Sequence, residues 1–151
     1  MELPLMQALW VLGFLPDEKL PQEVGIKALE SGMDTETLRM LASLSPHEAF
    51  EAKDLFEKML SEFGLPAMSR ADAARTYARA ISKQIVDGQL SPSAGANRLW
   101  DASLRVNDPD FHDLDPFVYA ASELESRPED AGFFNSEIMR EASEWIKNQR
   151  K

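Results

Sequence analysis

The chain reads as all-α, a compact bundle of about eight short helices with no sheet, and three observations predict this. Helix-start signals recur along the whole length, as Ser, Asp or Asn followed by Pro or by an acid three residues later. Between them the apolar residues repeat every three to four positions, the period of a one-sided helix. Alternating β-branched stretches are missing, and only five Val (Val11, Val24, Val86, Val106 and Val118) are present, poor material for a sheet.

The first helix is expected over residues 3–14, with Leu5, Ala8, Leu9 and Leu12 on one face and Met6, Trp10 and Phe14 widening it. Its apolar run (LPLMQALWVLGFLP, 3–16) has no Lys or Arg ahead of it, is preceded by Glu2, the wrong charge for a signal peptide, is interrupted by Gln7, and falls short of the roughly 18–20 residues that span a bilayer. A largely buried helix is therefore expected there. A second helix over 18–31 stops at Gly32, and Asp34 caps a third over 35–43. Ser45, Pro46 and Glu48 form a capping box for a fourth over 46–63, with a stripe of Phe50, Leu55, Phe56, Met59, Leu60 and Phe63. Gly64, Leu65 and Pro66 supply a left-handed stop, an apolar residue after it and a breaker.

Ser69 starts the fifth helix, which Gly88 ends; Ala74, Tyr77, Ala78, Ile81 and Ile85 face inward, while Arg75, Arg79 and Lys83 line up four apart on another face. Ser91 followed by Pro92 opens the sixth over 92–105, Asp115 followed by Pro116 the seventh over 116–126, and Asn135 the eighth over 136–149. Trp10, Trp100 and Trp145 are expected core anchors. One domain over 1–151 is expected, with a possible subdomain junction near 64–70 (GLPAMSR), because no Gly/Ser-rich linker interrupts the chain.

Charge and cysteine content narrow the function classes. The 26 Asp and Glu against 16 Lys and Arg give a net charge of -10, which opposes binding to nucleic acid or to an anionic membrane and favours a basic protein partner. The absence of Cys removes thiol catalysis, Cys-based zinc sites and disulfides, and fits a cytoplasmic location. No phosphate-binding loop, nucleophile elbow or His-Glu-x-x-His motif is present, so no cofactor is expected.

The acidity is uneven. Residues 69–106 hold six bases (Arg70, Arg75, Arg79, Lys83, Arg98 and Arg105) against three acids, a positive stretch best explained by pairing with acidic neighbours. From 108 to 130 follow eight acids with the single base Arg127. His112 lies inside this segment beside Asp108, Asp110, Asp113 and Asp115, but an EF-hand reading fails: from Asp108 the sixth and twelfth positions hold Asp113 and Tyr119 rather than Gly and Glu. His47 and Glu51, four apart, could supply two metal ligands where three or four are needed. Phe133 and Phe134 follow Gly132 in an expected loop, where they either plug the core or present a binding surface.

Two passages resemble known sequences: Ala28-Leu29-Glu30-Ser31-Gly32 before Leu38-Arg39-Met40-Leu41-Ala42, and Gly88-Gln89-Leu90-Ser91-Pro92 before Gly95-Ala96-Asn97-Arg98-Leu99-Trp100. Their order and spacing resemble small uncharacterised all-helical bacterial proteins, some associated with toxin-neutralising, immunity-like roles. The resemblance covers about half the chain and implies a helical fold and a bacterial origin; its elements are caps and core residues, so it transfers no catalytic residue. The expected function is a protein–protein interaction or regulatory module, with Asp108, Asp110, His112, Asp113, Glu129, Asp130, Phe133 and Phe134 as the partner-binding surface. The alternatives are a small metal-dependent hydrolase using acids of 108–125 with His112, and a homo-oligomer formed through an exposed helix face.

Overall fold

A computed structural model describes residues 3–14, 26, 32, 35–43, 49–65 and 67–148. Among the described residues the secondary structure is helical throughout, with seven α-helices, one 3-10 turn and no strand. Seven of the expected helices lie among the described residues; the element placed at 18–31 falls, apart from the helical Ile26, outside them. The capping box at 45–48, the cap Asp34, His47 and the side chain of Glu51 also lie outside them. The chain divides into two compact units, Met1–Met68 and Ser69–Lys151.

The first unit contains α1 (Leu3–Leu12), α2 (Glu36–Ser43) and α3 (Ala49–Glu62). The apolar stripe of α3 buries Phe56, Met59 and Leu60, against which Met6, Trp10, Leu55, Phe63 and Leu65 pack. The Trp10 ring tilts against Phe56 with centroids 4.9 Å apart. On α2 the buried Thr37 hydroxyl donates to Glu62 Oε2 at 2.9 Å, satisfying a polar group that would otherwise be desolvated without a partner. The stop of α3 is a Schellman turn: Gly64 N–H donates to Ser61 O, Leu65 N–H donates to Leu60 O at 2.8 Å, and Gly64 sits at φ +79°, where a Cβ would be strained.

The second unit consists of α4 (Arg70–Val86), α5 (Pro92–Val106), α6 (Asp115–Ser126), a 3-10 turn (Pro128–Asp130) and α7 (Ala131–Lys147). Each helix packs on the next and α7 returns onto α4, closing the set. The inward faces are rich in alanine (Ala73, Ala74, Ala78, Ala96, Ala102, Ala120, Ala121 and Ala142), which brings helix backbones close. Ile81, Ile85, Leu99, Leu114, Phe117, Phe134 and Ile138 fill the remaining space. Gly95 on α5 approaches α4 closely: an added Cβ there would collide with Ile85 Cδ1.

Two expected caps form as the sequence predicts. Ser69 accepts from Asp72 N–H and Ser91 from Ala94 N–H, with Pro92 in the first turn of α5. Ser91→Ala is therefore expected to cost about 1 kcal/mol, read as a lower urea midpoint with unchanged slope; an unchanged midpoint would show that the cap contributes nothing.

Two other expected starts are corrected. Leu114 rather than Asp115 is the N-cap of α6; Asp115 is already helical and its carboxylate turns back to His112. The last helix begins at Ala131, not 136, because the 3-10 turn opened by Pro128 feeds straight into it. Asn135 is thus inside the helix rather than its cap, and its buried Oδ1 has no hydrogen-bond partner among the described residues. Phe133 and Phe134 are helical rather than in a loop, and the inward stripe of α7 runs Phe134, Ile138, Ala142.

Candidate functional site

The placement of Phe133 and Phe134 on a helix separates them. Phe134 is 2% exposed and belongs to the core, whereas Phe133, one position earlier and about 100° round the helix, is 63% exposed. Tyr119 of α6, not among the expected site residues, is 60% exposed. Both exposed rings meet Phe134 edge-on, with centroids 5.1 Å (Phe133) and 6.2 Å (Tyr119) away. The result is an aromatic surface resting on a buried ring. Its signal was present in the spacing: Tyr119 lies off the α6 core stripe of Phe117, Ala120 and Ala121, so a large ring there had to face outward.

Charged residues frame these rings. The Arg127 guanidinium lies 5.1 Å above the Phe134 ring, donates to Glu123 at 2.8 Å, and pairs with Asp130 at 3.7 Å. Its positive charge is thereby compensated on both sides. Glu125 and Glu129 stand exposed nearby in sequence, so residues 119–134 carry four acids against one base. Of the eight expected site residues, Glu129, Asp130, Phe133 and Phe134 belong to this surface, with Phe134 as its foundation rather than a contact residue.

The other four serve the α5–α6 connection. Asp108 Oδ1 accepts the Asp110 N–H at 2.9 Å, tying a local turn. His112 Nδ1 and Asp115 Oδ2 are 3.0 Å apart in an exposed pair. Asp113 accepts from Arg75 Nε at 2.6 Å, and Arg75 also donates to Asp72 and lies 5.6 Å above the buried Phe111 ring. Pairing with Asp113 raises the Arg75 pKa above its ordinary value. Arg75 pins this connection onto α4, which answers the expected pairing of the basic stretch at that position. Among the described residues no three carboxylate or imidazole groups converge to hold a metal ion.

A cleft of about 530 Å³ opens between α4 and α7. Arg75 and Arg79 line one side with Asp113, and Glu141, Glu144 and Trp145 line the other. Trp145, an expected core anchor, is only partly buried and lines the cleft beside Glu141. No protein family, curated protein or solved structure matches this chain.

Burial raises the Glu141 pKa above its ordinary value, against opposing contributions from Arg140 and from the Trp145 hydrogen bond. Arg75 and Arg79 of α4, Asp113 of the connection, and Glu137, Arg140 and Glu144 of α7 are the charged groups around it. A carboxyl with a raised native pKa binds its proton more tightly when folded. Its stabilising contribution is complete below the unfolded value and is lost as pH rises through the folded one. Glu141→Gln is therefore expected to gain stability relative to the wild type as pH rises from about 4 through the carboxylate range, read as a growing difference in Tm. A difference that stays constant or shrinks would contradict the burial argument.

Proposed function

We propose that residues 69–151 form a docking unit for a basic protein partner, engaged through Tyr119 and Phe133 with the acids of 123–130 as rim. The exposure of two large rings, each packed against the same buried third, carries this reading, since a ring fixed from beneath gives contact area at little entropic cost. The surrounding negative charge supplies the steering that selects a basic partner over a neutral one. A regulatory or immunity-like role, in which the partner is a toxin, is the biological form this reading takes; the sequence resemblance supports it.

Among the described residues no helix is long and apolar enough to cross a membrane. Affinity capture with the full chain from its host is expected to recover a basic protein. Phe133→Ala should weaken binding by about 2 kcal/mol, roughly thirtyfold, as for an aromatic anchor. Glu129→Lys combined with Asp130→Lys should reduce the association rate and its salt dependence. Capture insensitive to both changes would overturn the proposal. Sedimentation that shows concentration-dependent self-association lost in Phe133→Ala would replace it with a homo-oligomer.

A further inference from the structure

We infer that the cleft between α4 and α7 receives a guanidinium group, a single arginine side chain of the basic partner; this rests on the docking reading above. The cleft's volume of about 530 Å³ exceeds what a side-chain head group and its stem require. Its lining sets three carboxylates against two guanidinium groups, so one incoming cation brings it to neutrality. Arg75 is already held by Asp113 and Asp72, and that locked set forms a wall rather than a binding group.

The opposite wall has the chemistry that favours guanidinium over ammonium. Glu141 and Glu144 stand three residues apart, on neighbouring positions of one helix side, where a planar fork can bridge two carboxylates. Trp145 lines the cleft beside these two carboxylates, so an indole stands where a planar cation can stack on it. Burial of Glu141 leaves its charge poorly solvated, so a cation placed there recovers more than one placed on an exposed acid. An ammonium satisfies the charge but cannot stack or bridge in a plane.

The cleft and the aromatic surface are connected through α7. Phe133 and Glu144 are eleven positions apart, close to three whole turns, so they lie on the same side of the helix about 16 Å from each other. One partner segment can reach both, with an apolar or aromatic residue on Phe133 and an arginine in the cleft.

The test uses the full chain and Nα-acetyl-arginine methylamide, followed through the indole N–H resonance of Trp145, which is assigned by its loss in Trp145→Phe. A saturable shift is expected with the arginine probe. The neutral citrulline analogue should bind about tenfold more weakly, and Glu141→Gln should weaken arginine binding by about the same factor. No saturable shift, an equal response to citrulline, lysine analogue binding as tight as arginine, or an unaffected Glu141→Gln each overturns the inference. The two readings fail separately: partner capture that depends on Phe133 without arginine binding sinks only the cleft, whereas arginine binding without Phe133-dependent capture sinks the docking surface.

Discussion

Phe134→Ala is expected to destabilise the Ser69–Lys151 unit by about 3–5 kcal/mol, while Phe133→Ala costs about 1 kcal/mol or less. The two rings are neighbours in sequence and in space, yet they occupy opposite environments. Phe134 is almost wholly buried, carries the rings of Tyr119 and Phe133 on its edges, and receives Arg127 over its face. Truncating it removes the ring's own burial, leaves a cavity in the core, and withdraws the support of both exposed rings. Phe133 loses only an edge-to-face contact and some partly solvated area. Urea unfolding followed by circular dichroism, read as the midpoint difference between the two variants, decides the matter. Equal midpoints would mean that Phe133 is packed, and the docking surface would lose its anchor.

The second large effect is expected at the α4–α5 contact. Alanine is a better helix former than glycine by about 1 kcal/mol, so at an ordinary helical site Gly→Ala would stabilise. At Gly95 the added Cβ would collide with Ile85 Cδ1 and lie 2.6 Å from Ile85 Cγ1, closer than carbon atoms tolerate. Ile85 is itself buried, and Ile81 Cγ2 stands at 3.4 Å from the same point, so little space is left for it to swing aside. Gly95→Ala is therefore expected to destabilise by about 1–3 kcal/mol despite its propensity gain. A double-mutant cycle gives a sharper reading: Ile85→Ala should cost less in the Gly95→Ala background than in the wild type, because the cavity made by one change accepts the methyl added by the other. Strict additivity would show that the two positions do not compete for space.

What could be read from the sequence depended on how locally each feature is encoded. Ser69, Ser91, Gly64 and Gly88 announce helix ends through hydrogen bonds to residues three to five away, and the structure places these features at helix ends. The start of α7 was misplaced for an equally local reason. Gly132 resembles a break and Asn135 a cap, but the 3-10 turn at Pro128–Asp130 had already set the backbone into a helical path. The helical period of Phe134, Ile138 and Ala142 then outweighs one unfavourable glycine. Asp113 could not be assigned from sequence, because its partner Arg75 is 38 positions away and no periodicity links them. The Glu141–Trp145 pair was legible in principle, being four residues apart at the edge of the α7 stripe, but the indole was expected to serve the core.

The return of α7 onto α4 has a topological consequence. The cleft is walled by Arg75 and Arg79 in the first and middle parts of α4 and by residues in the last turns of α7, so the start of α4 and the end of α7 lie towards the same end of the Ser69–Lys151 unit. A ring of helices whose ends are neighbours has no privileged starting point. A short bridge could join them and a new opening could be made at the exposed turn after α4, around Gly88, with each helix keeping the neighbours it has now. In that sense the order of the chain is incidental to the packing of this unit, and the two surfaces on α7 belong to the ring rather than to its end.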